Sequence, residues 1–310
     1  MVLVTGGTGF VGQALIRQLV DSGQQVRLLI RPSKKSPTLP HGIPVDVTLC
    51  SLQDERGLQA AMGGIDTVYH LASSEGRGNQ ADLLTVDIQG TKNVAAAAAS
   101  SGVRRIFYLS HIGADRASAF PVLKAKAIAE HYIRNSGVGY TIFRSGVVFG
   151  EGDRFTTNLA RLLRSFPFIC LIPGDGKTLL QPLWVEDLTT SLVWALDDGA
   201  TVNQVYTVGG PEYLSYRQIL ETVMSVSGTH RAVVSISPVT MRGITVFSEE
   251  TLPRFPLNIF WLDYLALDRT GPVDTLPRIF GLIPSSFAQR LDHLRPRGHH
   301  REIRPQIQAL

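Results

Sequence analysis

Residues 4–12 read VTGGTGFVG, a run of small residues between two apolar segments. The residues before it, MVL, predict the start of a buried strand, and residues 13–20 carry the apolar spacing of a helix. Strand, glycine turn and helix therefore follow one another directly at the start of the sequence.

Three glycines in this run, Gly6, Gly9 and Gly12, have the spacing G-x-x-G-x-x-G. Gly6 can turn sharply out of a strand, Gly9 lets the backbone approach a pyrophosphate, and Gly12 lets the helix lie close to the sheet. The N–H groups and dipole of the helix start favour an anion there. The pattern predicts a dinucleotide-binding turn, and an ordinary glycine turn is the alternative for an isolated motif.

The composition is that of a globular protein, with 44% hydrophobic and 18% charged residues in a chain of 310. This length accommodates one large α/β domain and a smaller lobe. The net charge of +4 comes without a basic stripe interleaved with aromatic residues, which argues against nucleic-acid binding. Cys50 and Cys170 form no metal-binding spacing and no disulfide framework, so we expect no metal.

Membrane and targeting segments are not apparent. The apolar stretches fall well short of the roughly 18 residues that span a bilayer. A strand predicted to begin at residue 1 or 2 leaves no room for a signal peptide. We therefore expect a cytoplasmic protein with no transmembrane segment, and peripheral attachment to a membrane stays open.

Strands and helices alternate six times in the first half of the chain. After the first strand, the apolar runs predict strands at 25–30, 44–49, 66–71, 105–110 and 139–143, and helices at 54–62, 81–101 and 121–135. Short strands rich in Val, Ile and Leu are typical of a parallel sheet covered on both faces. The order predicts an α/β fold, a doubly wound parallel sheet of the Rossmann type.

The alternation of strands and helices becomes less regular after residue 150. It predicts helices and strands at 155–166, 178–182, 185–196, 205–208 and 216–226, the last a helix capped by Ser215, and a mostly helical region at 237–290. We divide the chain into a dinucleotide-binding domain at 1–210, with part of the small lobe inserted around 151–177, a smaller, mostly helical C-terminal lobe at 211–294, and a disordered tail at 295–310.

Several further motifs accompany the glycine turn: VYHLA at 68–72, VDIQGTKNV at 86–94, FYLS at 107–110, RSGVVFG at 144–150 and QPLWVEDL at 181–188. In this order they resemble the extended short-chain dehydrogenase/reductase superfamily (NAD-dependent epimerase/dehydratase-like) over residues 1–210. Residues 120–145, EGDRF at 151–155 and FGLIPSSFAQRLDHL at 280–294 are similar to its atypical branch, and most of all to the nucleotide-binding accessory subunits of complex I.

The resemblance implies a bound NAD(P) and a membrane-bound respiratory or photosynthetic complex as partner. It implies these cofactor-binding residues: Gly6, Thr8, Gly9, Phe10, Val11, Gly12, Arg31, Ser51, Leu52, Leu71, Ala72, Ser110, Lys126 and Arg144. Related chains often carry Gly-Asp-Leu after the third strand, where this chain has Cys50-Ser51-Leu52. Ser51 still offers a hydrogen bond to adenine.

Catalysis in such proteins uses Tyr-x-x-x-Lys on one helix and a Ser at the end of the fifth strand. Lys126 and Ser110 match this pattern, but Val122 stands at the tyrosine position. A valine cannot transfer a proton, so we expect no hydride transfer by the usual mechanism. Lys126 is expected to hold the ribose hydroxyls of the nicotinamide half.

His111 directly follows Ser110 and is the candidate for a substitute acid, because imidazole exchanges protons near neutral pH. The alternative is a loop histidine that contacts solvent or cofactor. Tyr108 and Tyr132 are expected to be structural.

The end of the second strand indicates which dinucleotide is bound. Residues 28–33 read LLIRPS and contain no acid, which an NAD site typically carries there. Arg31 can pair with a 2′-phosphate, and Lys34 and Lys35 add positive charge. The sequence therefore favours NADP(H), with NAD(H) as the alternative.

Two functions follow. The first is NADP(H) binding in a structural, assembly or redox-sensing role, in which residues 252–265 either dock onto a complex or form a core helix of the small lobe. The second is an active NAD(P)-dependent reductase, or a nucleotide-sugar epimerase or dehydratase, that uses a substitute acid such as His111.

Overall fold

The structure is a computed structural model that describes residues 1–33, 42–252 and 256–296. Its strands are β1 (Val2–Thr5), β2 (Val26–Ile30), β3 (Asp46–Leu49), β4 (Thr67–His70), β5 (Arg105–His111), β6 (Gly139–Ser145), β7 (Val148–Phe149), β8 (Ile169–Pro173), β9 (Leu179–Leu180), β10 (Leu183–Trp184), β11 (Gln204–Val208), β12 (Leu214–Ser215) and β13 (Ala232–Ile236).

The α-helices are α1 (Phe10–Asp21), α2 (Glu55–Ala61), α3 (Gly90–Ser100), α4 (Pro121–Arg134), α5 (Phe155–Ser165), α6 (Val185–Asp197), α7 (Tyr216–Ser227), α8 (Pro238–Thr251), α9 (Ile259–Tyr264) and α10 (Thr275–Phe280). A π-helix at Leu83–Gln89 leads into α3, and a 3₁₀ segment at Glu75–Gln80 follows β4.

Seven strands form one parallel sheet in the order β3-β2-β1-β4-β5-β6-β11. The chain leaves β3 at one edge and re-enters the sheet at β4, on the other side of β1. In such sheets ligands bind beside the carboxyl ends of the strands at this switch point. The predicted doubly wound sheet of the Rossmann type is confirmed.

Both faces of the sheet are covered, so successive residues of a strand enter different cores. In β1, Val2 and Val4 join α1 and α6 on one face, whereas Leu3 joins α2, α3 and α4 on the other. All four residues of β1 and of β4 are buried. This burial explains why the strands are continuous apolar runs rather than alternating ones.

A third core lies in the C-terminal lobe, where α5, α7 and α9 bury side chains such as Leu159, Ile219 and Phe260. Ser215 caps α7 as predicted, because its side chain accepts a hydrogen bond from the backbone N–H of Gln218. Phe260 and Tyr264 of α9 are buried, so this part of the 252–265 stretch forms a core helix.

The structure differs from the sequence-based predictions at several elements, of which two are described here. The single helix expected at 81–101 begins as the π-helix, where the buried Asp87 accepts hydrogen bonds from Ser73 and Ser74, a contact that periodicity cannot reveal. The parallel pair of β8 and β13 was not predicted, because both strands are short and partly exposed.

Helices that cross membranes need about 20 apolar residues. In the described ranges, no helix combines the length and the apolar character that a bilayer crossing requires. Of the predicted tail, residues 297–310 lie outside the described part of the chain.

Candidate functional site

The glycine turn lies between β1 and α1 at the switch point of the sheet. Gly6 has φ +73°, and a Cβ there would lie 2.6 Å from the backbone of Leu71 and Ala72 at the end of β4. A Cβ on Gly12 would lie 2.4 Å from the carbonyl oxygen of Gly6. Glycine is therefore required at positions 6 and 12 for the close approach of turn, strand and helix.

The start of α1 has the properties of an anion site. Gly9 is its N-cap, with extended backbone and no side chain over the helix end, and the first turn holds no acidic residue. The N–H groups and dipole of the helix therefore face no competing negative charge from their own helix. These residues fit the pyrophosphate of a dinucleotide, which α1 would hold by backbone N–H groups.

The other residues predicted for the nucleotide follow the same edge of the sheet. Thr8 is exposed and Val11 is half-buried. The ring of Phe10 lies 3.5 Å from the position that a Cβ on Gly150 would take. Arg31 is exposed directly after β2. Ser51 and Leu52 are half-buried after β3. Lys34 and Lys35 lie outside the described residues.

Lys126 forms a buried ion pair with a residue that the sequence analysis did not single out. Its Nζ lies 3.1 Å from Glu75 Oε2 and donates to the carbonyl oxygen of Leu109 at 3.4 Å. The Nε2 of His111 lies 3.0 Å from the same Glu75 oxygen. One carboxylate oxygen thus joins the two predicted site residues at the carboxyl end of β5.

The ionised forms of Glu75 and Lys126 stabilise each other. Burial disfavours ionised Glu75, but His111 and Lys126 outweigh this effect and hold the pKa of its carboxyl well below the usual range. Burial also disfavours the ammonium of Lys126, yet the charge of Glu75 raises its pKa above the usual value. Both partners of the pair are therefore ionised at neutral pH.

Ser110 belongs to a different network. It is fully buried, and its hydroxyl donates to Glu130 Oε1 at 2.6 Å. Arg144, predicted to bind cofactor, donates to both oxygens of Glu130 at 2.9 and 2.7 Å. The structure thus groups Ser110 with Glu130 and Arg144, and it groups Lys126 with Glu75 and His111.

Val122 lies one helical turn before Lys126 on α4 and lines a small cavity at the border with the C-terminal lobe. His111 and Tyr264 line the same cavity. Glu75 and Tyr264 were both missed by the sequence analysis. No motif or spacing marks them, because they reach the site from segments far apart in the chain.

Comparisons with known proteins agree with a dinucleotide site at the glycine turn. Residues 6–161 match the protein family described as NAD(P)H-binding. The chain is 30% identical over 227 residues to NADH dehydrogenase (ubiquinone) 1 alpha subcomplex subunit 9, mitochondrial, of Arabidopsis thaliana. That match covers 70% of this chain and 56% of the relative, so the chain spans little more than half of the relative's length.

Two further similarities extend over nearly the whole chain. Sterol demethylase protein B of Methylococcus capsulatus is 27% identical over 332 residues, covering 96% of this chain and 98% of the relative. The NADPH-dependent quinone oxidoreductase of Escherichia coli, solved with NADPH, superposes with a TM-score of 0.76 over 95% of this chain and 99% of that one. At 21% identity, the latter shows the shared fold alone.

Proposed function

We propose that this chain, which belongs to the atypical short-chain dehydrogenase/reductase family of NAD(P)H-binding proteins, binds NADP(H) without the usual catalytic turnover. The nucleotide then serves a structural, assembly or redox-sensing role. Val122 carries this proposal, because it stands one turn before Lys126, where the family pattern has a tyrosine. An isopropyl group at that position can neither donate nor accept the proton of the usual reaction.

A nucleotide that is not turned over has a physical use. A ligand that binds only the folded state stabilises it by RT ln(1 + [L]/Kd), about 2.7 kcal/mol at one hundred times Kd. The glycine turn, β4 and α1 meet at the proposed pyrophosphate site. Nucleotide bound there would therefore stabilise the centre of the sheet.

The exposed Arg31 after β2 supports NADP(H) over NAD(H). No acidic residue lies in positions 28–33 to accept hydrogen bonds from the ribose hydroxyls of NAD. A guanidinium binds a 2′-phosphate through charge-assisted hydrogen bonds. Lys126 would hold the hydroxyls of the nicotinamide ribose.

A membrane-bound respiratory or photosynthetic complex is the proposed partner. The Arabidopsis relative is named as a subunit of NADH dehydrogenase, and it shares 30% identity with this chain. Pull-down from native membranes with the NADPH-loaded protein tests this part, and we expect subunits of one such complex in the eluate. Eluates that match those of an unrelated protein would contradict it.

Calorimetry on matched variants tests nucleotide binding. Lys126→Ala should weaken NADPH binding about tenfold, whereas Lys124→Ala, an exposed lysine of the same helix, should leave it unchanged. The nucleotide released from the purified protein should be NADP(H). A robust reductase or epimerase rate that disappears in Lys126→Ala would overturn the proposal of binding without the usual turnover.

A reductase with His111 as its acid is the second candidate function. It is favoured by the contact between His111 Nε2 and Glu75, which orients the imidazole beside Lys126. A screen of NADPH oxidation with quinones, ketones and nucleotide sugars tests it. Turnover that is lost in His111→Phe would support this candidate, and absence of turnover with every compound would count against it.

A further inference from the structure

The loop between α5 and β8 carries apolar side chains that face water. Residues 166–169 read FPFI, and the exposed fraction is 44% for Phe166, 81% for Phe168 and 45% for Ile169. A single exposed apolar side chain is common on folded proteins. Three of them within four residues form an apolar patch, which marks a surface that contacts a partner or a membrane.

The small parallel pair of strands extends this patch. Cys170 and Ile172 of β8 are buried in the core of the lobe. Because side chains alternate between the two faces of a strand, Ile169 and Leu171 point away from that core. Val234 of β13 is paired with Leu171 and is 40% exposed. The apolar surface therefore continues from the loop onto the outer face of both strands.

Three arginines border the loop. Arg161 and Arg164 are exposed near the end of α5. Arg231 precedes β13, and its Nε donates to the carbonyl oxygens of Leu163 and Phe166 at 2.9 and 2.7 Å, which holds the guanidinium beside the loop. Within the described ranges, the three arginines donate hydrogen bonds to amide and carbonyl oxygens, and none of these acceptors is a carboxylate.

The sequence on both sides of the loop lacks negative charge. Residues 154–174 and 222–248, which include both strands of the pair, contain five arginines and no aspartate or glutamate. Acids of the same segments therefore do not neutralise the cations at this surface. An exposed apolar patch bordered by such cations is complementary to the interface of an anionic bilayer, where negatively charged headgroups lie over apolar chains.

We propose that this surface docks the protein onto an anionic lipid bilayer. The ring of Phe168 enters the interface, and the guanidinium groups of the three arginines bind lipid phosphates. A fluid bilayer accepts a protruding ring without a matching pocket, whereas a protein partner must provide one. The surface contains none of the residues assigned to the nucleotide, so this proposal does not rest on the proposed function.

Cosedimentation of the full-length protein with vesicles tests the proposal. The wild-type protein should bind vesicles of phosphatidylcholine and phosphatidylglycerol in a ratio of about 7:3, and it should bind pure phosphatidylcholine about tenfold or more weakly. Arg161→Ala and Arg164→Ala should each weaken binding to the anionic vesicles about fivefold. Arg278→Ala removes an exposed arginine of α10 and should change it less than about twofold.

The apolar contact is tested by a matched pair of variants. Phe168→Ala should weaken binding to the anionic vesicles about tenfold. Ile283→Ala removes a side chain that is 84% exposed on another part of the chain, and it should leave binding unchanged. Because both side chains are largely exposed, the thermal unfolding of both variants should match that of the wild-type protein.

Tryptophan fluorescence reports the depth of insertion. Phe168→Trp and Ile283→Trp each add one tryptophan to the same background. Lipids with brominated acyl chains should quench the tryptophan added at position 168 and leave the one added at position 283 unquenched. Equal quenching at the two positions would contradict docking through Phe168.

Absence of binding by the wild-type protein to the anionic vesicles would overturn the proposal, and so would equal binding by the wild-type protein and Phe168→Ala. Retention on immobilised polyglutamate without binding to vesicles would also overturn it and would assign the surface to an acidic protein. Calorimetry with NADPH on the same samples separates the two proposals. Vesicle binding by a protein that does not bind NADPH would contradict the proposed function and leave the docking surface intact.

Discussion

Lys126 and Glu75 form an ion pair of 3.1 Å that joins α4 to the segment after β4. The lysine side chain is 6% exposed and the glutamate 23%, so the pair is largely removed from water. The same carboxylate oxygen contacts His111. The ammonium expected to hold a ribose is thus already fixed in position by a protein carboxylate.

Neutralising Glu75 should destabilise the fold. Glu75→Gln leaves the buried ammonium of Lys126 without a counter-charge, and we expect the free energy of unfolding to fall by about 2–3 kcal/mol. Asp274→Asn removes one partner of an exposed ion pair with Arg278. This substitution should change the free energy of unfolding by less than about 0.5 kcal/mol. Urea unfolding of both variants measures the difference, and equal effects would contradict a structural role for the buried pair.

Gly12→Ala should destabilise the fold, whereas Gly243→Ala should stabilise it. The Cβ of Gly12→Ala would overlap the carbonyl oxygen of Gly6, and we expect a loss of about 2–3 kcal/mol together with loss of NADPH binding. Gly243 lies within α8 with open space around its Cβ position, so Gly243→Ala should stabilise by about 0.5–1 kcal/mol. Thermal unfolding and calorimetry measure both changes. A tolerated Gly12→Ala would contradict the tight turn.

The buried His70 should make the free energy of unfolding depend on pH. Its Nδ1 lies 2.7 Å from Thr5 Oγ1 and its Nε2 lies 2.9 Å from Thr91 Oγ1. Burial, assisted by the charge of Lys126, lowers the pKa of His70 to about 3. The unfolded chain takes up this proton below about pH 6.5 while the folded chain does not.

The contribution of His70 to stability is therefore complete above pH 6.5 and is lost as the pH falls toward 3. Between these pH values the free energy of unfolding should fall by about 1.4 kcal/mol for each pH unit, because the unfolded chain binds one more proton than the folded chain. Urea unfolding from pH 7 to pH 4 should show this slope in the wild-type protein and lose it in His70→Gln. Identical pH profiles for the two proteins would count against a neutral buried imidazole.

Arg31 should decide the preference for NADP(H). Removal of a charge-assisted contact to a 2′-phosphate costs about 1.5 kcal/mol, so Arg31→Ala should bind NADPH about tenfold more weakly and NADH unchanged. Arg278→Ala, at an exposed site in α10, is the control. Calorimetry with both nucleotides measures the ratio. Equal wild-type affinities for the two nucleotides, unaltered in Arg31→Ala, would exclude this role.

Tyr264→Phe should leave the fold intact or strengthen it. The lost hydroxyl has no hydrogen-bond partner among the described residues, and we expect between no change and about 1 kcal/mol of added stability. The matched control is Tyr69→Phe, which removes a buried hydroxyl that donates to the carbonyl oxygen of Leu192 at 3.1 Å, and it should cost about 1 kcal/mol. A larger loss in Tyr264→Phe than in Tyr69→Phe would indicate a structural bond for Tyr264.

The glycine turn, the alternation of strands and helices, and the helix of Lys126 were predicted from the sequence, because each depends on residues close together in the chain. The order of the strands, with the passage from β3 to β4 across β1, follows the doubly wound pattern. The π-helix before α3 and the pair of β8 with β13 were not predicted. Both depend on contacts with distant segments, which local periodicity does not carry.

The sequence by itself determined the nucleotide-binding fold, the place of the glycine turn and the valine at position 122. These are properties of local spacing, backbone freedom and residue identity. Only the tertiary structure decided the partners: Glu75 for Lys126 and His111, Glu130 for Ser110 and Arg144, and Tyr264 for the cavity beside Val122. The winding of the chain around the sheet brings the first two sets together beside β5, and packing of the C-terminal lobe adds Tyr264. Buried charges and hydroxyls take their properties from such neighbours.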